Sequence, residues 1–295
     1  METSKYKIVL TGANGFTGRF VCNELIRRKI QFAVILRPGK KYKWISKRNI
    51  KIIYSDLNDI TTLRESLKGF NCIINISSLA FINVGNLIKL CEELEITRGV
   101  FISTTAIFTN LNAKSKNIRK LAEKYIAESD LNWTILRPTM IYGTPNDRNI
   151  IKLIRWINNL PLLPIFGNGK SFQQPIYVND VACAICSVIY NKKTFKKSYN
   201  ISGLKPLTYN NIVEIISKSL NKKILKIHLP HKLIYFILRF FEFFKFNISI
   251  KSEQILRLNE DKVFSYQRAK DDFSFSPLSF EEGIKKELTL FNKPS

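Results

Sequence analysis

The sequence predicts a doubly wound parallel α/β sheet followed by a smaller C-terminal lobe. Three observations lead there. Short apolar runs alternate with helical patterns as far as Arg137-Pro138, a glycine-rich turn directly follows the first run, and the rhythm changes after Pro138.

Lys7 to Leu10 is an apolar run that stops at the turn, as a buried parallel strand does. Phe16 to Arg28 then places Phe20, Val21, Leu25 and Ile26 on one helical side. Strands are expected at Phe32–Leu36, Ile50–Tyr54, Cys72–Ile76, Gly99–Ser103 and Trp133–Leu136, with helices at Thr61–Leu67, Phe81–Leu94 and Ile118–Glu128 between them. Beyond Pro138 the pattern predicts helices at Ile150–Asn159, Val181–Tyr190 and Tyr209–Leu220 and a loop at Leu160–Pro164. Short strands are expected at Ile176–Val178 and Tyr199–Ile201, an extended stretch at Ile224–Leu229, and a final helix before Leu290. The division expected is a nucleotide-binding domain over 1–140 and a substrate lobe over 141–295, with 175–200 returning to the sheet.

Between the first strand and the first helix stands Gly12-Ala13-Asn14-Gly15-Phe16-Thr17-Gly18. Glycines at this spacing allow a tight turn, close approach of backbone to a pyrophosphate and close helix–strand packing. The helix N-terminus offers unpaired N–H groups to the phosphates. The position after the first strand of an alternating chain makes this a Rossmann dinucleotide site. Arg37 closes the second strand, where an acidic residue would hold a ribose 2′-hydroxyl. An arginine there suits a 2′-phosphate instead, so the expected cofactor is NAD(P)(H) with NADP favoured. Lys40 and Lys41 lie nearby. The alternative is that Arg37 is one more solvated base.

The 295 residues are 45% hydrophobic and carry a formal net charge of +24, enough for a sizeable core and attractive to anions. The positive charge is spread along the chain, with no arginine-rich arm and no aromatic-basic pattern, so nucleic acid is not expected as a partner. Five scattered cysteines do not suggest a disulfide framework. Cys183-x-x-Cys186 lacks a second ligand pair, and no metal is expected. The only histidines are His228 and His231. No leader is evident before the first strand and no run reaches the roughly 20 apolar residues of a spanning helix, which predicts a cytoplasmic protein.

These residues resemble the extended and atypical short-chain dehydrogenase/reductases, in the NAD-dependent epimerase/dehydratase group, along nearly the whole length. Thr11 to Gly18 looks like the family's T-G-x-x-G-x-x-G. Asp56-Leu57 resembles its acidic-apolar pair facing the adenine, and Ile76-Ser77-Ser78 lies where the fourth strand passes the cofactor. Phe101 to Ala106 resembles the fifth strand with its catalytic Ser/Thr, here Thr104. Arg137-Pro138 to Tyr142-Gly143 resembles R-P-x-x-x-Y-G, Tyr177 to Ala182 resembles V-x-D-V-A, and Ser276-Pro277 to Gly283 resembles the closing turn and helix. The resemblance implies cofactor contacts from Gly12, Asn14, Gly15, Phe16, Gly18, Arg37, Asp56, Leu57, Ser77, Lys120 and Pro138, and substrate contacts from Tyr142, Gln174 and Tyr177.

The family's Tyr-x-x-x-Lys pair is incomplete. Lys120, with Glu123 after it, looks like the lysine that holds the ribose, but Lys116 stands four residues earlier where the tyrosine belongs. Three readings stay open: a neutral Lys116 as base, proton transfer by another residue or the substrate, or a retained nucleotide without redox catalysis.

Leu233 to Phe246 is strongly apolar and too short to span a bilayer, with Lys232, Tyr235, Arg239 and Glu242 on one narrow polar stripe. It reads either as a core helix of the lobe or as an interfacial helix over 232–246 on an anionic membrane, at the inner face. The stretch Ser219 to Pro230 looks like the small lobe of epimerases of polyprenyl-linked sugars. The function expected is an epimerase, dehydratase or reductase acting on a nucleotide sugar or polyprenyl-diphosphate sugar in polysaccharide or glycolipid assembly, as a homodimer. The alternative is a non-catalytic NAD(P)H-binding subunit resembling the accessory subunit of respiratory complex I.

Overall fold

The computed structural model describes residues 6–39, 42–111, 113–244 and 252–291. The chain runs β1 (Ile8–Thr11), α1 (Phe16–Arg27), β2 (Phe32–Leu36), one-turn α2 (Lys43–Ser46), β3 (Lys51–Tyr54), α3 (Ile60–Leu67), β4 (Cys72–Asn75), α4 (Val84–Glu93), β5 (Arg98–Ile102), α5 (Lys114–Glu128) and β6 (Asn132–Pro138). It continues with β7 (Ile141–Tyr142), α6 (Ile150–Asn159), β8 (Leu162–Phe166), β9 (Phe172–Gln173), β10 (Ile176–Tyr177), α7 (Val178–Val188), β11 (Lys197–Ile201), β12 (Leu207–Thr208), α8 (Tyr209–Ser219) and β13 (Leu225–Leu229). The last elements are α9 (His231–Phe243), α10 (Ser252–Leu258), α11 (Gln267–Phe273) and α12 (Phe280–Phe291).

Seven strands form one parallel sheet in the order β11-β6-β5-β4-β1-β2-β3. The order reverses between β1 and β4, and the glycine turn leaves β1 at that switch point, where ligands of such sheets bind. The central strands are apolar on both faces because each face is covered. One face packs Ile8, Leu10, Cys72, Ile74 and Val100 against α1, α7 and α11. The other packs Val9, Ile73 and Phe101 with residues of α3, α4 and α5. A third cluster, with Ile151, Ile154, Ile212, Ile216 and Ile284, is the core of the second lobe.

Several boundaries move for local reasons. The helix expected from Phe81 starts at Val84, because the Asn83 side chain accepts from the Asn86 N–H and caps it. The helix expected from Ile118 begins at Lys114. The loop expected at Leu160–Pro164 becomes β8 from Leu162, since β13 supplies it a parallel partner. Val178 opens α7 instead of ending a strand. The fifth strand begins at Arg98, which the sequence pattern passes over as a charged residue. Its guanidinium is fully buried and donates to the carbonyls of Val188 and Ile189 and to the Thr134 hydroxyl, tying the sheet to the end of α7. Burial lowers its pKa to about 10.

Candidate functional site

The loop after β1 is built by backbone constraints. Gly12 sits at φ +74°, and a Cβ there would meet the Ser77 backbone nitrogen at 2.7 Å. At Gly18 a Cβ would collide with the Gly12 carbonyl. Gly15 differs: it is exposed, and an added Cβ would meet only the Gly12 carbonyl, at 3.2 Å, with open space beyond. Gly15 is also the N-cap of α1 and has no side chain to satisfy the first N–H groups. A short open cradle of N–H donors facing a cavity is what a pyrophosphate requires, so these residues fit a dinucleotide.

Gly12, Gly15, Phe16 and Gly18 line a cavity of about 840 Å³ that continues past Ile76 and Thr104 into the second lobe. Asn14 lies beside the loop, its Oδ1 accepting from Trp44 Nε1 at 2.7 Å and from Arg19 at 3.3 Å. Arg37 and Asp56 close β2 and β3 as a loose, solvent-facing pair at 3.8 Å, and the Asp56 carboxylate also accepts from the Asn58 N–H. Leu57 is half-buried against the core below. Lys40 and Lys41 lie outside the described residues.

Thr104 lines the cavity as the cap of a short 3₁₀ turn, its Oγ1 accepting from the Ala106 N–H at 3.2 Å. Pro138 does not reach the cavity. It is buried in the sheet opposite Ile201, and its carbonyl accepts from Thr105 Oγ1; the next residues, Thr139 and Met140, form the wall instead.

The structure corrects the assignment of Lys120. Helix α5 is phased by Ala122, Glu123 and Ile126, which it buries, and by Arg137, whose guanidinium donates to both oxygens of Glu123. That phase turns Ser115 and Arg119, one and two turns earlier, toward the protein. Lys120 falls on the outer side and is exposed. Lys116 is half-buried, with its ammonium donating to the Thr109 carbonyl. Arg119 is half-buried and its pKa is lowered, by desolvation first and then by Arg257 in the cavity wall. Ser115, Lys116 and Arg119 are all half-buried on the inner side of α5, and neither they nor Lys120 line the cavity.

The three expected substrate contacts are structural. Tyr142 is 1% exposed, its hydroxyl donating to the Phe280 carbonyl and its ring filling the space that Gly283 leaves open. Tyr177 packs edge-on against it and is 8% exposed. Gln174 is buried, donating to the Gly203 carbonyl and accepting from the Phe264 N–H. Its neighbour Gln173 lines the cavity. Asp180 of the Tyr177–Ala182 segment accepts from the Leu278 N–H at 2.9 Å and so clamps the closing turn, with burial raising its pKa to about 6.

The far wall of the cavity is charged. Arg148 and Lys152 stand exposed at and on α6. Arg257 and Lys262 face them with Glu260, which accepts from Thr109 Oγ1 and the Asn110 N–H. Lys262 is buried enough that desolvation lowers its pKa, and it donates to the Arg257 carbonyl. Tyr209 lines the same cavity, its phenol pKa raised by burial. Sequence periodicity gives no signal for 254–264, where the short helix α10 runs into an irregular segment brought to the site only by packing. Cys183 and Cys186 lie on α7 with their thiols pushed up by burial. Among the described residues no group of three metal-ligating side chains converges.

The chain matches the NAD(P)H-binding family over residues 12–157 and the 3-beta hydroxysteroid dehydrogenase/isomerase family over 117–231. It is 23% identical to a 2-alkyl-3-oxoalkanoate reductase of Shewanella oneidensis, over 94% of this chain and 84% of that protein. It is 25% identical to the N-acetyl-alpha-D-glucosaminyl-diphospho-ditrans,octacis-undecaprenol 4-epimerase of Escherichia coli O157:H7, over 77% and 76%. With NADH dehydrogenase [ubiquinone] 1 alpha subcomplex subunit 9 of Dictyostelium discoideum it shares 24% identity over 73% of this chain, and it spans 64% of that subunit's length. The fold is similar to that of the Thermotoga maritima UDP-glucose 4-epimerase with UDP-glucose, at a TM-score of 0.74, 16% identity, and coverage of 97% and 98%. The glycine cradle, the reversed strand order and these matches agree: the chain is similar to NAD(P)-dependent reductases, epimerases and dehydratases and binds a nicotinamide dinucleotide.

Proposed function

We propose that this chain is an NAD(P)-dependent epimerase, dehydratase or reductase of a sugar carried on a diphosphate, in polysaccharide or glycolipid assembly. The observation that supports it is the single cavity that joins the glycine loop to a second wall bearing Arg148, Lys152 and Arg257. A nicotinamide supplies reversible oxidation at a sugar carbon when bound. Gly12, Gly15 and Gly18 would admit its pyrophosphate, Arg37 would favour the 2′-phosphate of NADP, and Thr104 would hydrogen-bond the reacting hydroxyl. The exposed cations would take the sugar diphosphate, which carries the opposite charge. A cytoplasmic homodimer at an anionic membrane surface is the setting proposed with it. The test is conversion of nucleotide-linked and polyprenyl-diphosphate-linked hexosamines by the purified protein with NAD or NADP. Turnover supports the reading, and dinucleotide binding with no turnover of either class overturns it.

One observation favours the second reading, a dinucleotide-binding subunit without redox catalysis. The inner side of α5 carries Ser115, Lys116 and Arg119 and no phenol, so no tyrosine stands there to exchange a proton. Recovery of the protein in a stable larger complex, with no sugar conversion, would decide for it.

A further inference from the structure

Helix α9 turns His231, Ile234, Tyr235, Leu238 and Glu242 toward the protein and leaves a broad apolar face exposed. Tyr235 and Glu242, half of the polar stripe seen in the sequence, are half-buried toward the protein, and Glu242 accepts from the backbone N–H and hydroxyl of Ser252 at the start of α10. The outward side carries Leu233, Phe236, Ile237 and Phe240, with Phe236 67% and Phe240 60% exposed. None of the described residues of α9 is buried. The preceding strand β13 adds the exposed side chains of Leu225 (64%) and Ile227. Apolar residues at three- and four-residue spacing on the solvent side cost solubility unless something covers them.

The charges around this face identify what covers it. Lys222, Lys223, Lys232 and Arg239 are exposed in the same segment, while Glu242 is engaged with Ser252. A greasy face rimmed by cations on a chain of net charge +24 complements an anionic lipid surface, where the rings enter the headgroup boundary and the cations meet phosphate. The face is also tied to the site: α10 packs on α9, and Gln254, Arg257 and Leu258 of α10 line the cavity.

We infer that the β13–α9 face docks on an anionic membrane and sets the cavity beside the lipid surface, so that the substrate is a lipid-linked sugar diphosphate and not a soluble nucleotide sugar. This rests on the sugar-diphosphate reading and selects within it. A substrate whose diphosphate lies at the headgroup level needs only the short reach across α10 to meet Arg257. A soluble nucleotide sugar needs no such face.

The experiment is co-sedimentation of the full chain with phosphatidylglycerol/phosphatidylcholine vesicles and with pure phosphatidylcholine vesicles, for wild type and the double variant Phe236→Ser/Phe240→Ser. Both side chains replaced are exposed, so the variant should fold, and NADPH binding checks this. The variant leaves the net charge unchanged, which separates docking by this face from attraction of a basic protein to any anionic surface. The expected result is binding to the anionic vesicles only, weakened tenfold or more in the variant. Wild type left in the supernatant, or a variant that binds equally, overturns the inference. So does a wild type that is dimeric without lipid and made monomeric by the substitutions, since the face would then join two copies. Turnover of a nucleotide-linked sugar without vesicle binding would sink this inference and leave the functional reading standing. Vesicle binding with no turnover of any sugar diphosphate would overturn the functional reading and with it the substrate inferred here, leaving only the membrane docking.

Discussion

The two ends of the cavity are built on different principles. At the glycine loop, geometry is dictated by backbone: Gly12 at positive φ and Gly18 against the Gly12 carbonyl leave no room for side chains, and the cradle follows from that crowding. At the second lobe, geometry is dictated by buried polar groups. Asp147 caps α6 by accepting from the N–H groups of Asn149 and Ile151. Glu287 lies against Asp147, fully buried, and burial followed by Asp147 raises its pKa to about 10. A backbone-built site is rigid and nearly indifferent to pH. A site hung on protonated carboxyls has a stability that depends on pH.

The sharpest way to break this contrast is Gly15→Val. Because a side chain at Gly15 would enter the space the pyrophosphate needs, dinucleotide affinity should fall about 100-fold or more by fluorescence titration, with circular dichroism checking that the fold tolerates the 3.2 Å approach of the new Cβ to the Gly12 carbonyl. Wild-type affinity for NADPH would refute the cradle.

Next in size are changes on the middle of the cavity. Thr104→Ala should lower turnover about 10²-fold, as loss of a positioned hydrogen-bonding group does. Lys120→Ala, exposed and outside the cavity lining, should leave turnover and dinucleotide binding within about twofold. Steady-state kinetics on a hexosamine diphosphate, with NADPH titration, would rank them. A damaging Lys120→Ala would return the ribose contact to Lys120.

Arg37→Asp should shift the NADPH/NADH affinity ratio about tenfold towards NADH, because it removes the partner of the 2′-phosphate and adds a ribose acceptor beside Asp56. An unchanged ratio would make Arg37 plain surface charge.

The last change belongs to the second lobe and acts on stability instead of binding. Glu287 holds its proton in the folded state up to about pH 10 and loses it near pH 4.5 when unfolded. Its contribution is thus complete below about pH 4.5 and declines as pH rises toward 10, by at most about 1.4 kcal/mol per pH unit. Asp180, raised to about 6, acts with the same sign over a lower and narrower window. Glu287→Gln should therefore flatten the fall in thermal midpoint between pH 6 and 9, by a few degrees at the alkaline end. A wild type whose midpoint does not fall over this range would show that the buried pair is relieved some other way.

What the sequence determined by itself was local. Four- and five-residue apolar runs bounded by turns read as strands of a covered sheet, and glycines at positions 12, 15 and 18 after the first of them read as a tight turn against a phosphate, so the sheet and the cofactor end were legible. Tertiary structure decided which side of each helix looks inward. Spacing makes Lys116 and Lys120 look like one pair, and only the packing of α5, with Arg137 gripping Glu123, half-buries Lys116 and leaves Lys120 exposed. Tyr142 and Gln174 have the polar atoms of binding residues, yet bonds to Phe280, Gly203 and Phe264 consume them, and Tyr177 is buried against Tyr142. Helix α9 carries one apolar pattern that suits a core or a membrane equally. The contact of Glu242 with Ser252 turns its aromatic side to solvent, because a short-range periodicity records spacing and only long-range contacts record direction.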